Sequence, residues 1–108
     1  MQDTQDLGQI VFTAGIDQAI KNGSLSYGLI LRCVLKHNQG DWGDLCDEDK
    51  EANDFVYLNK NGGRLLSCYK LQTLDKQEVK IWIITSGFGN AHQGPEYCNT
   101  VIMFPSEY

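Results

Sequence analysis

Basic residues are scarce in this sequence. Nine Lys and Arg stand against fourteen Asp and Glu, giving a net charge of −5 and a pI near 4.8. The nine are scattered, whereas phosphate-backbone binding needs cations gathered on one face, so no nucleic-acid partner is expected. Long apolar runs are missing too. The longest, around Leu29 to Leu35, is too short and too interrupted to span a bilayer, so no membrane role is expected. The opening Met1-Gln2-Asp3-Thr4-Gln5-Asp6 is polar and acidic, without the basic and apolar regions of a secretory signal, and this reading expects residues 1–6 to be frayed. The four cysteines, Cys33, Cys46, Cys68 and Cys98, form no CxxC pair. A zinc ribbon or thioredoxin-like site is therefore not expected; four reduced thiols in a cytoplasmic protein are.

Catalytic and cofactor signatures are also lacking. There is no HExxH, no GxSxG, no GK[ST] and no calcium-loop spacing, so neither metal nor cofactor is expected and no catalytic residue is assigned. No repeat, low-complexity tract or linker divides the chain. The 108 residues, 42% hydrophobic, suit one domain with its own core.

What is present reads as an α+β domain. Leu7 to Phe12 is strand-like. Thr13 can cap a first helix running to Lys21, ended by Asn22-Gly23. Ser24 or Ser26 can cap a second, in which Tyr27, Ile30, Leu31, Val34 and Leu35 share a face. A loop follows from His37 to Asp44. Asp47 can cap a third helix, from Glu48 to about Leu58, with Ala52, Phe55 and Val56 as its buried stripe. Arg64 to Leu71, Glu78 to Thr85 and Thr100 to Phe104 are strand runs. The order β-α-α-α-β-β-β predicts a two-layer fold, about three helices on a three- to four-stranded, mainly antiparallel sheet. Ile81 to Ile84 is apolar on both faces, as in a central strand covered by helices.

Two segments could carry chemistry. The first holds His37, Asp41, Trp42 and Asp44, close before Cys46, with Arg64 across the chain to pair with either carboxylate. An imidazole beside carboxylates suits acid–base work, and Cys46 near His37 could form a thiol–imidazole pair. The bland alternative makes Asp44 and Asp47 caps, Trp42 a core plug, and His37 a cation at a helix end. Trp82 and Tyr69 are read as packing between sheet and helices. The second segment is the long Ser86–Cys98 connection, where Phe88, His92 and Tyr97 stand among polar residues and have a claim to contact a partner.

Three stretches, Gly40-Asp41-Trp42-Gly43-Asp44-Leu45-Cys46, Gly63-Arg64-Leu65-Leu66-Ser67-Cys68-Tyr69, and Ile81 to Thr85 with Thr100 to Tyr108, together resemble a family. It comprises small bacterial proteins of plasmids and other mobile elements, some labelled as a type I restriction subunit. The resemblance runs from Leu7 onward and singles out His37, Asp41, Trp42, Asp44, Arg64 and Trp82. It implies an accessory protein and carries no activity over. A methylating subunit is excluded, since the chain is too short and has no NPPY-like tetrad. The leading expectation is a non-enzymatic module acting by protein–protein contact, with self-association through an open sheet edge. The rivals are a ligand site or enzyme at His37, Asp41, Asp44 and Arg64, and an acidic decoy for a DNA-handling protein.

Overall fold

The computed structural model describes residues 4–108. Strand β1 (Gln9–Phe12) leads into helices α1 (Ala14–Lys21), α2 (Tyr27–Asn38) and α3 (Asp47–Asn59), then strands β2 (Leu65–Gln72), β3 (Glu78–Ser86) and β4 (Asn99–Met103). This is the expected α+β order, with three short 3-10 turns interspersed that the pattern does not announce. The sheet runs β1-β4-β3-β2 and is mixed: β1 lies parallel to β4, and the other neighbours are antiparallel. The three helices carry the chain from one edge strand to the other.

Period-two alternation decides which side chains meet the helices. Leu65, Ser67 and Tyr69 of β2, Ile81, Ile83 and Thr85 of β3, and Thr100 and Ile102 of β4 are all buried. Ile16, Ile30, Val34 and Trp42 close the core above them. On the opposite face Trp82 packs edge-on against Tyr108, with ring centroids 5.6 Å apart. The expectation for Tyr69 thus holds. Trp82 sits instead on the far side, because its even position in β3 points it away from the helices.

The expected fraying of residues 1–6 falls partly outside the described residues. Over residues 4–6 the chain turns in a 3-10 helix, Gln5–Leu7, because Leu7 is fully buried and Asp6 pairs with Lys60 at 2.9 Å. Thr13 caps α1, accepting from Ile16 N–H and donating to Glu107 at 2.7 Å. Glu107 also accepts from the backbone of Phe104 and Gly15; these bonds, with the first from Phe104, hold its carboxyl below the usual range. Cys46, not Asp47, occupies the N-cap position of α3, and α2 continues through Asn38, past the expected loop start.

The buried stripe expected on α3 needs correction. Ala52 and Phe55 face solvent, while Asn53 turns inward with Val56 and Tyr57 partly covered. The reason lies in β2, whose outer edge needs partners. Asn53 Nδ2 donates to Leu66 C=O at 2.7 Å and Leu66 N–H donates to Asn53 Oδ1 at 3.1 Å, so one side-chain amide stands in for a strand. Two residues on, Cys68 N–H donates to Trp42 C=O and Asp44 N–H to Cys68 C=O, at 3.1 and 2.7 Å. Over Leu66–Cys68 this edge is therefore covered from within the chain. Asn53→Ala is expected to cost about 2 kcal/mol, since it strands two backbone groups at once, whereas Ala52→Ser should be within about 0.5 kcal/mol. Urea unfolding of the two variants checks this.

Candidate functional site

His37 lies in the last turn of α2, where Ile30, Val34 and position 37 fall on one buried line, and it is 0% exposed. Its Nδ1 meets Ser67 Oγ at 2.5 Å and its Nε2 meets Thr85 Oγ1 at 2.9 Å. Thr85 Oγ1 lies 2.7 Å from Thr100 Oγ1, which donates to Leu7 C=O at 2.6 Å. That last bond sets the direction of the others. Thr100 spends its proton on Leu7, so it accepts from Thr85. Thr85 then accepts from His37 Nε2–H, and His37 Nδ1 accepts from Ser67. The chain places a proton on Nε2, and with the ring neutral Nδ1 is left to accept from Ser67. Burial favours that neutral form and lowers the His37 pKa from 6.5 to about 4. The reading of His37 as a helix-end cation is thereby corrected: its ring is sealed and neutral.

Trp42 follows His37 into the core. Its ring meets His37 edge-on at 5.6 Å and Tyr57 edge-on at 5.4 Å. Tyr57 stacks on Phe88 at 5.5 Å. His37, Trp42, Tyr57 and Phe88 thus form a continuous row from the end of α2 to the loop after β3. Its polar atoms are satisfied, with Trp42 Nε1 donating to Asp54 and Tyr57 Oη donating to Asn38 C=O, both at 2.8 Å. Among the described residues no buried side-chain nitrogen or oxygen lacks a partner.

The bridge between the 41–44 segment and β2 demands glycine at position 43. Its φ is +77°, and a Cβ there would stand 2.1 Å from Cys68 C=O. Asp41 is exposed, caps Gly43 N–H at 3.2 Å, and offers its carbonyl to Tyr69 Oη at 2.5 Å; burial pushes the Tyr69 phenol up. Asp44 pairs with Lys70 at 3.3 Å. Arg64 pairs with neither aspartate. It lies over the Tyr108 ring at 5.4 Å and donates to the Tyr108 hydroxyl at 3.1 Å. Lys70 stands six residues along the strand from Arg64, roughly 20 Å away. The four polar residues His37, Asp41, Asp44 and Arg64 therefore have four different engagements and do not converge on one cavity.

The long loop is anchored by Phe88, which is 1% exposed and exchanges two backbone hydrogen bonds with Gly62 and Gly63. His92 and Tyr97 remain exposed on its outer side. Cys46 is exposed as well. It lines an open groove of about 570 Å³ on the Trp82 side of the sheet, with Leu45, Leu66 and Pro105, so it does not face His37. The other three thiols are buried, and burial raises Cys33 and Cys98. One thiol of the four is expected to react quickly with a maleimide in the native protein, the rest only on unfolding; mass spectrometry of the labelled chain reads this. Among the described residues no three His, Cys, Asp or Glu side chains are placed to hold a metal ion, and no helix is long and apolar enough to cross a membrane.

The sequence reading passed over Ser67, Thr85, Thr100, Asn53 and Tyr57. The hydroxyls carry a signal: each sits at an inward position in an otherwise apolar strand. The single face expected on α2 needs correction as well, since Ile30 and Val34 turn inward while the others face out. Tyr27, Leu31 and Leu35 recur every four residues along α2 and are 52%, 41% and 38% exposed. Phe55 and Leu58 of α3 are 63% and 79% exposed. Comparison of the chain with protein-family models, curated proteins and solved structures finds no match.

Proposed function

We propose that this protein is a non-enzymatic accessory module that works by protein–protein contact through the outer faces of α2 and α3. The observation that carries the reading is the pair of apolar stripes just described. Large apolar side chains scattered singly on a surface mean little, but a stripe at regular helical spacing is the form a docking surface takes. Aromatic and leucine side chains there leave water when a partner covers them, at about 25 cal/mol per Å². The chemistry-bearing candidates support the reading from the other side, since His37, Trp42 and Phe88 are spent on the core and Asp44 and Arg64 on surface contacts. The resemblance to mobile-element proteins would make the setting a plasmid or similar element.

The test is an affinity pull-down from bacterial lysate with wild type beside a Leu31→Glu/Phe55→Glu variant shown to be folded by circular dichroism. Both sites are exposed, so the variant should keep its stability. A specific protein, or a second copy of the chain, retained by wild type and lost by the variant is the expected result. Equal retention by both would move the contact elsewhere, and no retention at all would contradict the reading. An acidic decoy instead predicts a basic partner that leaves at moderate salt and ignores the apolar substitutions.

A further inference from the structure

The two outer stripes are opposite in charge as well as alike in apolar character. Helix α2 contains no acidic residue, and its exposed face carries Arg32 and Lys36 beside Leu31 and Leu35. Helix α3 has five acidic residues and one lysine, and its exposed face carries Glu48 and Glu51 alongside Phe55 and Leu58. Three cations elsewhere are satisfied within the chain, Lys21 by Asp17, Lys60 by Asp6 and Lys70 by Asp44. Among the described residues neither Arg32 nor Lys36 has a carboxylate within 4.0 Å, and neither Glu48 nor Glu51 has a cation. In a chain of net charge −5, α2 is a basic, apolar strip whose Tyr27 rests edge-on against Phe12 and whose cations have no ion-pair partner among the described residues, and α3 is its acidic, apolar counterpart.

Resting on the contact reading above, we propose that the occupant of these stripes is a second copy of the chain, with α2 of each protomer lying on α3 of the other. A two-fold axis makes that contact twice and leaves neither stripe open. Each contact sets leucine and aromatic side chains against one another while Arg32 and Lys36 meet Glu48 and Glu51. The apolar part supplies affinity, and the charges set register and encounter rate.

Sedimentation velocity across a micromolar concentration series tests this with charge-reversed variants. Arg32→Glu/Lys36→Glu makes α2 acidic against an acidic α3. Glu48→Lys/Glu51→Lys makes α3 basic against a basic α2. Wild type is expected to be a dimer, and each variant alone to dimerise roughly tenfold or more weakly. Mixed in equal amounts, the two variants restore opposite charges at both contacts, so the mixture should recover wild-type affinity as a heterodimer. All four positions lie on exposed helix faces, and circular dichroism confirms that each variant is folded. A monomeric wild type overturns the proposal, as does a dimer that neither reversal weakens or a mixture that does not recover. A monomeric wild type whose stripes still retain a different protein in the pull-down overturns the self-association alone and leaves the contact module standing.

Discussion

Phe88→Ala is expected to lower stability by about 3–5 kcal/mol, the range for emptying a fully buried phenylalanine site. For a domain of this size that is a fall in melting temperature of more than about 12 °C. The residue stacks on Tyr57, and its own backbone holds the loop to the Gly62–Gly63 turn, so the cavity cannot close without moving both segments. Tyr97, nine positions from it in the polar stretch and half-exposed, serves as the control. Tyr97→Ala should change stability by no more than about 0.5 kcal/mol. Thermal unfolding of the two variants separates an aromatic that builds the core from one that lies on its surface. Equal effects would contradict the role given to the Phe88 row.

The second large effect is a loss of stability in mild acid that belongs to His37. Its folded pKa, about 4, lies below the 6.5 of the unfolded chain, so the unfolded state takes up the proton first. The stabilisation is complete above about pH 6.5 and is lost as the pH falls towards 4. At about 1.4 kcal/mol per pH unit this amounts to about 3 kcal/mol. No charged group touches the ring; Ser67, Thr85 and the edge of Trp42 surround it, so desolvation alone sets the sign. Glu107, held below the ordinary carboxylate range by its hydrogen bonds, adds its loss at still lower pH. His37→Phe should be less stable at neutral pH, because Ser67 loses its acceptor, yet flat between pH 6.5 and 4. Urea unfolding of wild type and variant at neutral pH and near pH 4 measures both.

The sheet was legible in the sequence because its strand runs are dense in β-branched and apolar residues between turn signals. The phase of β3 was not, since Ile81 to Ile84 is apolar on both sides and Trp82 was expected against the helices. Thr13 and Asn22-Gly23 marked α1 through local capping chemistry. The phase of α3 was not legible, because Phe55, Val56, Tyr57 and Leu58 are consecutive and allow several faces. The choice among them is made by Asn53, whose amide answers the open edge of β2 at Leu66, a demand that no local window contains. The candidate site misled for a related reason. An imidazole among aspartates suggests reactivity, but the helical line through Ile30 and Val34 already placed position 37 inward. The strand hydroxyls that receive it lie 30 and 48 residues away. Exposed stripes such as that on α2 look like core stripes in a sequence, and only the packed structure shows which apolar positions are left over.

His37 is a sealed structural group rather than a reactive one. Long-range nitrogen–proton NMR of the imidazole, followed from neutral pH down to about 4, tests that directly. The predicted result is a neutral ring protonated on Nε2 through neutral and mildly acidic pH, with a second proton arriving only as the pH nears 4. A ring that titrates near 6.5 in the folded protein, or one protonated on Nδ1, would contradict the account and return His37 to the chemistry its neighbours in the sequence suggest.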